Sequence, residues 1–352
     1  NLPGLGDWGT GVAFNPADKP SAATGAAADT FNNPYRCGKT LAASGRDGVL
    51  RIWDIGPNHE GRLFVGHTGP VESAVFSPDG RRVATGSDDG TARIWAAATG
   101  GQELALPEHT ARINSVAFSP PDGKVLAAAS WDGTADLYNS QTGERLVQLR
   151  DPGGKPIQSI DFSSDGSLVA TASGDGRGKG TVVVWEAAGG KQRYAWKHDG
   201  TLYGAAFDPA GKQLVVTGSS GQIYLYDLNS GEQVKTLGGG PQAVYDGVFS
   251  PDGKLLATAN WDGTAQVWSL PAGELEHTLR GHTDRIYGIQ FSSDGRTLAT
   301  SSADHTIRLW DVATGAPLRT LPGPEFNSLQ FSPDGQSLVV GGEDGTARIY
   351  TL

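Results

Sequence analysis

One phrase recurs along this chain. Phe-Ser-Pro-Asp-Gly occupies residues 76–80, 249–253 and 331–335, variants begin at Phe118, Phe162, Phe207 and Phe291, and a degraded copy begins at Phe14. After each copy comes a stretch that ends in an aromatic residue: Trp53, Trp95, Tyr138, Trp185, Tyr226, Trp268, Trp310 and Tyr350. Successive aromatics are 40 to 47 residues apart, which makes eight units. A repeat of this length cannot bury its own apolar face, so each unit must stack on its neighbours.

Unit two shows what a unit contains. Residues 71–76 are apolar enough for a buried strand, and Ser-Pro-Asp-Gly then turns the chain, with glycine supplying the positive φ. Residues 82–87 read as a second strand, Asp89-Gly90 as a hairpin turn, and residues 91–95 alternate as a half-buried third strand. Thr99-Gly100 turns the chain again toward an outer strand at residues 103–106. No segment keeps a helical period over three turns, so the expected class is all-β.

These residues resemble the WD-repeat family, whose signature pairs Gly-His with Trp-Asp. Gly66-His67, Gly281-His282, Trp53-Asp54 and Trp310-Asp311 match it literally. The resemblance covers essentially the whole chain and implies an eight-bladed β-propeller of four-stranded antiparallel blades, one domain over residues 1–352. The Ala- and Gly-rich composition looks bacterial. The family's structural tetrad maps onto His67, Ser87, Asp89 and Trp95 in unit two, and onto His282, Ser302, Asp304 and Trp310 in unit seven. A buried tryptophan needs an acceptor for its N–H and a buried aspartate needs donors, so the recurring His and Asp read as scaffold rather than as a catalytic pair. Other units lack one or more of these residues and are expected to open more readily.

A ring must close. Few residues follow Tyr350, so the last blade is expected to be incomplete or closed by the N-terminus, through residues 1–6 or residues upstream of them; the chain is therefore expected to come from a larger chain or complex. Two insertions break the period. Residues 15–40 lengthen unit one and offer a second partner site pinned by Phe31 and Tyr35, or mere decoration. Residues 174–180, Gly-Asp-Gly-Arg-Gly-Lys-Gly, form a long mobile hairpin; they lack the order of a phosphate-binding loop, and a strand follows instead of a helix.

The resemblance also implies a partner site on the top face, around the channel mouth. One contact position lies four residues before the Phe of each unit and holds Glu72, Tyr203, Tyr245 and Tyr287 among others; a second precedes the turn aspartate and holds Asp88, Trp131 and Trp261. Tyr and Trp are common interface anchors. Aromatic residues beside Glu72 and Asp88 would suit an Arg- or Lys-containing peptide.

Function classes narrow accordingly. A net charge of −10 argues against a nucleic-acid role, which needs a basic stripe. No apolar run is long enough for a spanning helix, so no membrane insertion is expected. The single cysteine, Cys37, excludes an internal disulfide framework, and the histidines share no metal-ligand spacing. Thr99-Gly100, Thr142-Gly143 and Thr314-Gly315 resemble part of the docking motif of eight-bladed quinone enzymes, but the following Trp is absent. The expectation is a non-enzymatic scaffold without cofactor that binds a protein or peptide, free-standing or as the C-terminal module of a signalling protein; a structural subunit of an assembly is the alternative.

Overall fold

The alternation in unit two becomes four antiparallel strands in the computed structural model, which describes residues 42–44, 50–52 and 62–352 apart from Glu108, 239–241 and Pro324. Those strands are Val71–Phe76, Arg82–Ser87, Ala92–Ala96 and Gln102–Ala105. The Phe-Ser-Pro-Asp-Gly phrase folds as a self-satisfying turn. The Ser77 hydroxyl donates to Asp79 Oδ1 at 2.6 Å, the Arg81 N–H donates to the same oxygen at 3.0 Å, and Gly80 takes φ 69°. The second and third strands are buried and the fourth is exposed, so each blade presents its apolar faces to its neighbours.

Units two to eight each form such a blade, and the ring has seven blades, not eight. Unit eight contributes Phe326–Phe331, Ser337–Gly342 and Ala347–Thr351, and its fourth strand is Arg62–Phe64, paired as Arg62↔Ile349, Leu63↔Arg348 and Phe64↔Ala347. Residues 1–6, the expected closing segment, lie outside the described residues, as does the 15–40 insertion. By its place in the repeat, Arg62–Phe64 is the outer strand of unit one. Of unit one, the described residues include strands Ala42–Ser44 and Leu50–Ile52, which pair with each other in a two-stranded sheet. Phe64 is 1% exposed and packs with Val71, Ala74 and Trp95 of unit two and Val339, Ala347 and Ile349 of unit eight. Burying such a ring contributes about 1.5–3 kcal/mol.

The inner strands show how seven blades fit. An inner strand exposes an edge of unpaired N–H groups. In five of the seven junctions a side chain of the preceding blade accepts one of them: Ser73 from Val116 (3.2 Å), Ser115 from Ile160 (3.3 Å), Ser159 from Ala205 (3.1 Å), Asp246 from Ile289 (3.4 Å) and Ser328 from Ala74 (3.0 Å). The last of these joins unit eight directly to unit two. At the other two junctions the position is glycine, and the next blade comes close instead: a Cβ on Gly204 would lie 3.2 Å from the Tyr245 carbonyl oxygen, and one on Gly288 would lie 3.3 Å from Leu329 N.

Candidate functional site

The tetrads are the interior scaffold beneath the site. In unit two the Trp95 indole donates to Thr85 Oγ1 at 2.8 Å, Thr85 Oγ1 lies 2.7 Å from His67 Nε2, and His67 Nδ1 lies 2.9 Å from Asp89 Oδ2. A neutral imidazole with its proton on Nδ1 satisfies every atom of this chain. The hydroxyl in the relay belongs to Thr85, not to Ser87. Two residues apart, Thr85 and Ser87 share a strand face, but Ser87 ends the strand, where it donates to the Gly69 carbonyl at 3.1 Å and accepts the Asp89 N–H at 3.1 Å. Unit seven repeats the pattern. Trp310 donates to Thr300 at 2.9 Å, Thr300 lies 2.7 Å from His282, and His282 lies 2.8 Å from Asp304, while Ser302 donates to the Asp284 carbonyl. Burial opposes ionisation of Asp89, but hydrogen bonds from His67 and Thr91 outweigh it and hold the carboxyl well below its usual range. Burial likewise depresses His282.

Incomplete units improvise. Unit three has Ala128 at the threonine position and Tyr138 in place of Trp; the Tyr138 hydroxyl donates to Asp136 at 3.2 Å, leaving His109 Nε2 without a hydrogen-bond partner. Unit five substitutes aromatic stacking: His198 lies 3.6 Å from the Tyr224 ring centroid and shares a hydrogen bond with the Tyr226 hydroxyl, while Trp196 stacks on Tyr226 at 4.1 Å.

The inner strands enclose a central cavity of about 1100 Å³, lined in unit two from Glu72 along the strand to Pro78. The first contact position of every blade lines it: Glu72, Asn114, Gln158, Tyr203, Tyr245, Tyr287 and Asn327. Tyr203, Tyr245, Trp261 and Tyr287 come together as one arc. Tyr245 sits at its centre, 4.9 Å from Tyr203, 5.4 Å from Trp261 and 5.3 Å from Tyr287. Trp261 is 42% exposed. Burial raises the Tyr245 hydroxyl strongly and pushes Tyr287 up to about 12, so both are neutral donors.

Trp131 stands apart from this arc, with its indole donating to Gln158 at 3.1 Å. The Arg112 guanidinium lies 3.4 Å from its ring centroid and reaches Glu72 at 3.8 Å and Asp88 at 3.6 Å. Burial and the Asp88 charge raise Glu72 to about 8 despite Arg112. Arg112 and Arg285, which lies 4.9 Å from the Trp261 centroid, escape a sequence reading based on the two contact positions. Each immediately precedes an inner strand, where other blades carry Pro70, Pro156, Thr201, Ala243 and Glu325. An arginine among prolines and small residues at that position was the available signal.

The glycine-rich insertion borders the mouth through Gly174, Asp175 and Gly176. It is pinned rather than loose: Lys155 Nζ donates to Asp175 Oδ1 at 3.1 Å, to the Arg177 carbonyl at 2.8 Å and to the Lys179 carbonyl at 2.9 Å. Among the described residues, no group of three or more His, Cys, Asp and Glu side chains is placed to hold a metal ion.

Comparison with known proteins follows the same architecture. Residues 33–54, 59–96 and 100–139 match the WD domain, G-beta repeat. Residues 120–351, more than half of the chain, match the IFT122 first beta-propeller. Similar proteins include the DENN domain and WD repeat-containing protein SCD1 of Arabidopsis thaliana, 35% identical over 82 residues (23% of this chain, 7% of the relative). The small ribosomal subunit protein RACK1 of Caenorhabditis elegans is 27% identical over 114 residues (32% and 29%). A guanine nucleotide-binding protein subunit beta of Oryza sativa subsp. indica is 35% identical over 81 residues (21% and 21%). The aligned stretches thus span less than a third of each relative, and these three eukaryotic proteins lend no support to a bacterial origin. The match to the IFT122 first beta-propeller over residues 120–351 and the WD repeats matched over residues 33–139 show that the chain belongs to the WD-repeat β-propeller family.

Proposed function

We propose that this chain is a non-catalytic docking module that holds a protein or peptide at the mouth of its central channel. One observation carries the reading: three successive blades place Tyr203, Tyr287 and the exposed Trp261 each against the Tyr245 ring, which lines the cavity. Rigid aromatic area with polar tips costs little entropy to immobilise and anchors interfaces. Glu72, Asp88 and Trp131 form a second contact group, in which the Asp88 carboxylate would attract a basic side chain of the partner alongside Arg112.

The test is affinity capture from a native lysate by the wild-type chain and by the Tyr245→Ala/Trp261→Ala double variant. Loss of a captured protein in the variant supports docking at the mouth. Undiminished capture moves the site to the blade edges, where Leu146, Val234, Leu275 and Leu318 are exposed on outer strands, and favours a structural subunit.

A further inference from the structure

The two arginines at the mouth are not in equivalent surroundings. Both guanidinium groups lie over an indole ring, Arg112 over Trp131 and Arg285 over Trp261. Arg112 has two carboxylates within 4 Å, those of Glu72 and Asp88. Arg285 also faces the Tyr287 ring, at 5.6 Å. The ion pair described for it runs from Nε to Asp284 Oδ1 at 3.8 Å, beyond hydrogen-bond reach, and that same oxygen already accepts the Arg285 backbone N–H at 2.7 Å. Arg285 Nε is shielded from water and has no hydrogen-bond partner, while the guanidinium interacts with the Tyr245 hydroxyl and feels the Glu325 charge. Glu325, the nearby acid, accepts the Tyr287 hydroxyl at 3.4 Å.

The aromatic arc thus already holds its own cation. A lysine or arginine arriving at Trp261 would meet like charge, contrary to the simplest reading of an aromatic patch on an acidic protein. A carboxylate arriving there would meet a planar guanidinium held in place by two rings, so little freedom is lost in pairing with it. Resting on the docking function proposed above, we propose that the Tyr203–Tyr245–Trp261–Tyr287 arc takes an aspartate or glutamate side chain of the partner, flanked by apolar residues, with Arg285 as its charge partner. Across the same mouth Glu72 and Glu343 line the cavity and Asp88 already pairs with Arg112, so the cation left to meet an acidic residue of the partner is Arg285, at units six and seven.

The experiment uses the full chain labelled with 5-fluorotryptophan. The probes are capped nine-residue peptides that differ only at the centre, Glu, Gln or Lys, between leucines, with an uncapped C-terminal form of the Gln peptide as a further arm. The Trp261 fluorine resonance, assigned with Trp261→Phe, reports binding at the arc. The Glu peptide is expected to bind roughly tenfold tighter than the Gln peptide, and the Lys peptide weakest. Arg285→Gln should erase the Glu-over-Gln preference, Arg285→Lys should retain part of it, and the Trp131 resonance should stay unmoved. A preference for Lys, a preference for the free C-terminus over the Glu side chain, or a Glu preference intact in Arg285→Gln overturns the inference. If no peptide moves Trp261 and capture survives the Tyr245→Ala/Trp261→Ala change, the docking function itself fails; if capture is lost in that variant but the charge preference is absent, only the acidic specificity fails.

Discussion

The Ser328 hydroxyl accepts the backbone N–H of Ala74 at 3.0 Å, across 254 residues of sequence. That bond repeats, between the last blade and the first, the staple that joins blades along the ring. The closing strand completes the same junction by inserting Phe64 beside Trp95, with ring centroids 5.8 Å apart. Phe64→Ala should therefore cost about 3–5 kcal/mol, and Ser328→Ala about 1–2 kcal/mol. Urea denaturation of both variants checks the order. A Phe64→Ala protein as stable as wild type would mean that the ring closes elsewhere.

Thr85 and Ser87 offer a second comparison. Thr85→Val keeps the shape but strands the Trp95 N–H and His67 Nε2 in the interior, so a loss of about 2–4 kcal/mol is expected. Ser87→Ala removes a carbonyl contact and a turn bond and should cost about 1 kcal/mol. Thermal unfolding of the two variants separates them, and equal losses would contradict the relay geometry.

Asp161 and Asp246 sit on inner strands and line the channel. Asp161 accepts the Phe207 N–H at 2.9 Å and Asp246 accepts that of Ile289 at 3.4 Å, yet burial pushes both carboxyls up to about 6. The folded value lies above the unfolded value of about 3.9, so the folded state binds these protons more tightly. Their contribution to stability is greatest below about pH 4 and declines as pH rises to about 6. Asn keeps an acceptor oxygen and carries no charge. Asp161→Asn and Asp246→Asn should each stabilise the protein by roughly 1–3 kcal/mol at about pH 7.5 and flatten its stability profile between about pH 4 and 6. Melting curves across that range test the point, and an unchanged profile in the double variant would refute it.

Lys155 holds the glycine-rich insertion through one carboxylate and two carbonyls. Lys155→Ala should raise amide hydrogen exchange across residues 175–179 at least about tenfold while changing global stability by less than about 1 kcal/mol. Exchange measured by mass spectrometry decides it. Unaltered protection in the variant would show that Gly176 N–H bonding to Thr201, at 2.8 Å, suffices to hold the loop.

Much of the blade was legible in the primary structure, because a blade is a local object. The Ser-x-Asp-Gly turn, the period-two alternation and the buried third-strand aromatic all depend on residues a few positions apart. The first contact positions could likewise be read by offset from each Phe, and all seven in the ring line the cavity. The tetrad hydroxyl was misread by two residues because Thr85 and Ser87 share a strand face and a chemistry; only the distance to Trp95 separates them.

Blade number was not local. Eight motif copies are present, but Arg62–Phe64 carries the same pattern whether it completes unit one or unit eight, and only its pairing with Ala347–Thr351 allots it. The charge of the mouth was not local either. Arg112 and Arg285 reach their tryptophans from loops that precede inner strands, and for Arg285 the ring belongs to the blade before. Sequence alone determined an all-β chain of stacked four-stranded units with aromatic side chains lining the channel, since turn chemistry and alternation act within a unit. Tertiary structure decided the seven-bladed closure, the relay hydroxyl and the cation in the aromatic arc, since each depends on which edge or loop of one blade meets the next.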